Sequence, residues 1–283
     1  MHSSSQNSSK SSYSVGFIGG GNMASSIIGG LVADILPADS INVFDTNQEQ
    51  LQRLKTEFAV NTSSSCEELI DVSDVLFLAV KPQVLPALLS EMSEPICKKQ
   101  PLVISIAAGI TEATIQNSIK NNQIAIIRVM PNTPALVKTG ASGMFANAFV
   151  SSAQKEIAKT LMGAVGLALW VDNESDIDSV TALSGSGPAY FMRFINALIH
   201  SAEKAGLPKG DAKLLALQTC IGSAKLIQVS SNTSIEQLID NVTSPGGTTE
   251  QALLSFSQNN LEDIIDDAFQ AALIRSQQLG ESS

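Results

Sequence analysis

Val15-Gly16-Phe17-Ile18-Gly19-Gly20-Gly21-Asn22-Met23-Ala24 is the stretch on which the fold turns. A short apolar run with β preference leads into G-x-G-x-x-A, and apolar residues then recur at helical spacing from Met23 to Ile35. In that arrangement the first glycine turns the chain tightly, the second lets backbone approach a pyrophosphate, and a small residue at Ala24 lets helix pack on strand. The helix start then faces the anion with unsatisfied N–H groups. Ile18, Gly19, Gly20, Gly21, Asn22, Met23 and Ala24 are therefore expected to bind a dinucleotide. The plainer alternative is an ordinary strand-to-helix turn.

Working outward, Ile41–Phe44 ends in Asp45, the position from which a carboxylate reaches an adenosine ribose and repels a 2′-phosphate. Asp45 is equally suited to capping the next helix together with Asn47, and Arg53 lies a turn or two further along. The cofactor is thus expected to be NADP(H) or NAD(H), with the preference open. Further apolar runs, 74–80, 102–107 and 124–130, alternate with helix-like segments such as 23–35 and 48–58. Continuous Val/Ile/Leu runs separated by helices describe strands buried on both faces, hence an α/β, Rossmann-like, doubly wound parallel sheet.

From about Ser175 the texture becomes all-helical, with Ala and Leu at helical spacing and Gly206-Leu207-Pro208 punctuating two long helices. Leu261, Ile264, Ile265, Ala268 and Ala272 mark one face of a last helix, opposite Glu262, Asp263, Asp266 and Asp267. These patterns predict a disordered leader over 1–13, a dinucleotide-binding domain over 14–173 and a C-terminal helical domain over 174–283. The leader reading rests on eight serines among the first fourteen residues and no apolar periodicity.

Composition narrows the function. Lys and Arg number 17 against 27 Asp and Glu, a net charge of −10, so no global positive field attracts nucleic acid or anionic lipid. Three cysteines without a C-x-x-C pair and two histidines offer neither a zinc site nor a disulfide framework. No apolar run approaches the ~20 residues of a spanning helix. A cytoplasmic protein acting on a small molecule, without nucleic acid, membrane or metal, is the expectation.

Three more segments carry a resemblance: Ala79-Val80-Lys81-Pro82 after the third long apolar run, Leu183-Ser184-Gly185-Ser186-Gly187-Pro188-Ala189-Tyr190 opening the helical half, and Asp240-Asn241-Val242-Thr243-Ser244-Pro245-Gly246-Gly247-Thr248-Thr249 late in it. With the glycine-rich turn and Arg128–Pro134, they make the chain, from Val15 to Leu279, similar to the pyrroline-5-carboxylate reductases. The resemblance implies NAD(P)H-dependent reduction of 1-pyrroline-5-carboxylate to L-proline, the last step of proline biosynthesis. It also implies a helical domain forming an intertwined homodimer that completes the substrate site, with higher assemblies such as a decamer. Ala79, Val80, Lys81, Pro82, Ala107, Ala108 and Gly109 would line the ribose and nicotinamide side. Val242, Ser244, Gly246, Gly247, Thr248 and Thr249 would bind substrate. Two positions depart from the family pattern: Cys66 where an asparagine is usual, and Asn232 where a glutamate is usual.

The residues suit the chemistry. A carboxylate-bearing ring must bind a chain of like charge, and Ser244–Thr249 opens a helix whose N–H groups are positive and whose glycines admit close approach. Thr249 is expected to hydrogen-bond the ring nitrogen, as the catalytic residue. Lys81 reads better as a solvated lysine than as a reactive amine, and His200 receives no role. A β-hydroxyacid dehydrogenase is a competing reading, but it needs a lysine where this chain has Phe191. A non-catalytic NAD(P)-binding protein is the other; it predicts damage to the Thr-Ser-Pro-Gly-Gly run, which is intact.

Overall fold

Every β-strand of the protein joins one sheet among the described residues. The structure, a computed structural model, describes residues 13–281. The first twelve residues of the expected leader lie outside that range. Ser14, however, is tied down: its carbonyl accepts from the Asp74 and Val75 amides at 3.0 and 3.1 Å, and its amide donates to the Asp74 carboxylate at 3.0 Å.

The strands are β1 (Val15–Ile18), β2 (Ile41–Phe44), β3 (Asn61–Thr62), β4 (Val75–Leu78), β5 (Leu102–Ser105), β6 (Ile126–Met130), β7 (Gly140–Ala146) and β8 (Gly166–Trp170). Their order is β3-β2-β1-β4-β5-β6-β7-β8. All neighbours are parallel except β6 and β7, which run antiparallel. The sheet is therefore mixed rather than wholly parallel. The connection from β6 to β7, residues 131–139, is too short for the crossover that a parallel neighbour needs.

Eight helices accompany the sheet: α1 (Asn22–Asp34), α2 (Gln48–Phe58), α3 (Cys66–Val72), α4 (Leu85–Glu91), α5 (Ser93–Lys99), α6 (Glu112–Ile119), α7 (Ser152–Gly163) and α8 (Asp176–Val180). Ala24, Ile27, Ile28 and Leu31, at helical spacing on α1, bury against Phe17, Val43 and Leu161 on one face of the sheet. Leu69, Ile70, Leu85, Ile96 and Ile115, from α3 to α6, pack on the other face with Ile18 and Leu76. The sheet is wound on both faces, as its four-residue runs of fully buried side chains predict. Helix α2 starts where Asn47 accepts from the Glu49 and Gln50 amides and ends at Ala59 in the left-handed region (φ 57°).

The remaining helices are α9 (Gly187–Lys204), α10 (Lys209–Val229), α11 (Ile235–Asn241), α12 (Thr248–Gln258) and α13 (Leu261–Glu281). Gly206, at φ +96°, breaks the chain between α9 and α10. One compact unit runs to Ser186 and takes back the chain from Ala272; Gly187–Ala271 forms the other. The division lies beyond the change in sequence texture near Asn173, because α8 packs on β6 and β7.

Within the helical unit Phe194 of α9 and Phe256 of α12 meet at 6.3 Å between ring centroids. Yet Ala212 is the sole buried apolar side chain in this unit among the described residues, while Phe191, Met192 and Leu214 are each more than 60% exposed. Such a unit buries too little apolar surface to be stable without a cover. No helix among the described residues is long and apolar enough to cross a membrane.

Candidate functional site

The glycine-rich turn sits where β1 lies beside β4 and β2 on the other side, the point at which the chain order of the sheet reverses. Open α/β sheets bind ligands at the carboxyl ends of strands there. Gly19 has φ +98°, its N–H donates to the Phe44 carbonyl at 2.8 Å, and a Cβ on it would stand 2.6 Å from the Ala79 carbonyl oxygen. Glycine is thus required both by the backbone and by the closeness of β4. Gly21, the N-cap of α1, is exposed, and a Cβ there would meet nothing within 4 Å. No side chain caps α1, so the first-turn amides of Asn22, Met23 and Ala24 have no side-chain acceptor. These residues fit the pyrophosphate of a dinucleotide.

Asp45 does more than end β2. Its Oδ2 accepts from the Gly20 N–H at 2.7 Å and its Oδ1 from the Asn47 N–H at 2.8 Å, while the Gln50 side-chain amide donates to the Gly20 carbonyl. The cap of α2 is Asn47 alone, and Asp45 holds the N–H of that cap residue while each of its oxygens keeps a second lone pair. At the end of β4, Ala79 and Val80 are half-buried and Lys81 is exposed as it enters a 3₁₀ turn led by Pro82. After β5, Ala107 is buried, Ala108 exposed, and Gly109 (φ +74°) lies against Leu279 near the end of α13.

That loop after β5 is held from below by a cluster that the sequence did not suggest. Arg128 of β6, 9% exposed at its side chain, pairs with Glu174 at 2.6 Å. The same Glu174 oxygen accepts the Glu112 N–H at the start of α6, also at 2.6 Å. Asn147 and Gln116 donate to the Glu112 carboxylate at 2.9 and 2.7 Å. Asn132, within the Arg128–Pro134 motif, donates to the Ser184 carbonyl at 3.0 Å and accepts from the Ala141 amide at 2.9 Å. Gly185, next in the chain, is pressed against Met130: a Cβ would stand 2.5 Å from its methyl carbon. Spacings of 46 and 52 residues hide such contacts from pattern reading.

In the helical unit, the run Val242–Thr249 joins α11 to α12. Gly246 has φ +73°, and Gly247 caps α12 with no side-chain hydrogen bond. The glycine amides, expected to face substrate, have partners within the turn: Gly246 N–H donates to the Glu250 carboxylate at 2.8 Å and Gly247 N–H to the Ser244 carbonyl at 2.9 Å. The donors that remain are the amides of Thr248, Thr249 and Glu250, in the first turn. Thr249 is half-buried, and no hydrogen bond engages its hydroxyl among the described residues. Glu250, which sequence reasoning missed, thus holds the turn by the back-bonding expected of a glutamate in a helix's first turn. His200 is exposed, its Nδ1 2.7 Å from the Asn196 carbonyl.

Known proteins match both halves of the chain. Residues 174–279 match a family described as pyrroline-5-carboxylate reductase dimerisation, and residues 14–109 match one described as NADP oxidoreductase coenzyme F420-dependent. A pyrroline-5-carboxylate reductase of Pseudomonas aeruginosa is 45% identical over 94% of this chain and 97% of its own length. Among solved structures, a pyrroline-5-carboxylate reductase of Coxiella burnetii superposes with a TM-score of 0.89 at 39% identity, covering 94% of this chain and 98% of its own. A pyrroline carboxylate reductase of Plasmodium falciparum with NADP bound gives 0.86 at 31%, covering 96% and 99%.

Proposed function

The chain belongs to the pyrroline-5-carboxylate reductase family, and from that premise we propose which of its residues carry the reduction of 1-pyrroline-5-carboxylate to L-proline. The observation that carries the reading is the first turn of α12, with three amides and one threonine hydroxyl free of partners in a chain whose net charge opposes an anionic substrate. The amides of Thr248, Thr249 and Glu250 bind the substrate carboxylate, aided by the positive end of the helix. Gly246, Gly247 and Ser244 shape the turn that presents them, and the exposed Val242 leads into it.

The reaction turns a C=N bond into CH–NH. A reduced nicotinamide supplies the hydride when bound. Gly19 to Ala24, Asp45, Ala79 to Pro82 and Ala107 to Gly109 hold and orient the dinucleotide, NADP(H) or NAD(H). The imine is electrophilic once its nitrogen is protonated, so the chain needs no strong acid. The Thr249 hydroxyl accepts the iminium N–H, fixes the ring's orientation and stays bonded to the amine that forms. Phe191 in place of a lysine fits this economy, because no substrate hydroxyl has to lose a proton.

We assign the helical part the role of joining two copies of the chain; its exposed Phe191, Met192 and Leu214 supply apolar surface for a homodimer. A decamer of such dimers is the larger assembly we propose, and solution mass measures it. A cytoplasmic location suits cysteines left unpaired, Cys66, Cys97 and Cys220. The test of function follows nicotinamide absorbance with 1-pyrroline-5-carboxylate and each reduced cofactor. Consumption with at least one is expected, and none with either contradicts the reading.

A further inference from the structure

We infer that Asp45 makes this site select a dinucleotide with a free ribose 2′-hydroxyl, NADH over NADPH; the inference rests on the Gly19–Ala24 turn being the pyrophosphate cradle. A carboxylate at the end of β2 repels a 2′-phosphate only if it cannot swing aside. Here it cannot, because Gly20 N–H holds one oxygen at 2.7 Å and Asn47 N–H the other at 2.8 Å. The turn is locked in the same register by Gln50, whose side-chain amide donates to the Gly20 carbonyl. Each oxygen keeps a lone pair for a ribose hydroxyl, whereas a phosphate there would set like charges against each other.

Sites that accept the 2′-phosphate usually place an arginine nearby. Thr46–Gln52 contains neither lysine nor arginine and adds the acid Glu49. The Asn47 side-chain oxygen is already occupied by the Glu49 and Gln50 amides. Arg53 is the first cation along the chain, but it stands five residues into α2, about 7.5 Å further along the helix axis than Gln48. It is exposed, and it is the one residue able to defeat the inference.

The experiment is a fluorescence titration of the intact protein with NADH and with NADPH, without substrate. NADH is expected to bind about tenfold more tightly, the effect of ~1.4 kcal/mol of like-charge repulsion. The gap should narrow as salt rises, which a purely steric exclusion would not do. Asp45→Asn removes the charge but can accept only one of the Gly20 and Asn47 amides, so both constants weaken through the turn, and the readout is the ratio of the two, which should move about tenfold toward NADPH. Arg53→Ala should leave both constants unchanged. The inference is overturned if wild-type protein binds NADPH as tightly as NADH, if Asp45→Asn leaves the ratio where it was, or if Arg53→Ala selectively weakens NADPH. Binding of neither form overturns the reading of the turn itself, and this inference with it.

Discussion

Removing Glu174 should loosen the loop after β5 and cost stability out of proportion to one surface acid. Arg128 is 9% exposed at its side chain and Glu174 28%, with 2.6 Å between them. Breaking a buried pair by removing one partner costs about 3–5 kcal/mol, and partial exposure of Glu174 places this pair at the low end. Its oxygen also accepts the Glu112 N–H, and an unsatisfied amide there adds about 1 kcal/mol. Glu174→Leu should therefore lose about 4 kcal/mol. Arg128→Met with Glu174→Leu removes both charges and should lose only ~1–2 kcal/mol, chiefly the amide's acceptor. Urea unfolding followed by circular dichroism measures both, and with Arg128→Met alone added, the double-mutant cycle isolates the pair. Because the Glu112 N–H at the start of α6, just beyond Ala107–Gly109, loses its Glu174 acceptor in both variants, NADH affinity should fall in both. A single variant within ~1 kcal/mol of wild type, or a double as unstable as the sum of the singles, would refute the reasoning.

Other outcomes follow from the same geometry. Thr249→Ala should lower kcat/KM by about ten- to a hundredfold, the scale of lost positioning, while Thr249→Ser restores most of it; steady-state kinetics decides. Gly19→Ala forces a side chain into φ +98° and within 2.6 Å of the Ala79 carbonyl oxygen; it should cost at least ~2 kcal/mol and abolish dinucleotide binding, read by thermal melts and fluorescence titration. Burial, with Glu67 and Glu91 nearby, pushes the Cys66 thiol up to about 11. At pH 8 roughly a thousandth of it is thiolate, so in intact protein it should alkylate far more slowly than Cys220, as mass spectrometry of labelled peptides would reveal.

The parts of the fold that the sequence betrays are those with a local cause. Helix α2 runs over Gln48–Phe58 as its periodicity predicts, because Asn47 caps it and the chain turns left-handed at Ala59. The strands β1 and β2 match their apolar runs end to end. β7, Gly140–Ala146, escapes notice because Gly-Ala-Ser-Gly has no alternation or β-branching; pairing on both sides makes it a strand. β3 is two exposed residues recruited by β2. In the candidate site, glycines announce themselves through motif spacing, but the partners that use or fix their amides do not. Asp45 lies 25 residues from Gly20, and Glu250, though close in sequence to Gly246, looks like one more surface acid. The reading of Gly246 and Gly247 as free donors missed that a tight turn satisfies its own amides first.

The account stands most directly on whether the first turn of α12 grips a carboxylate. Backbone ¹⁵N chemical shifts, recorded as proline is titrated into protein saturated with reduced dinucleotide, report on each amide separately. The amides of Thr248, Thr249 and Glu250 should move furthest and saturate together, with Gly246 and Gly247 following only slightly. Stationary shifts across that turn, with proline perturbing residues elsewhere, would contradict it.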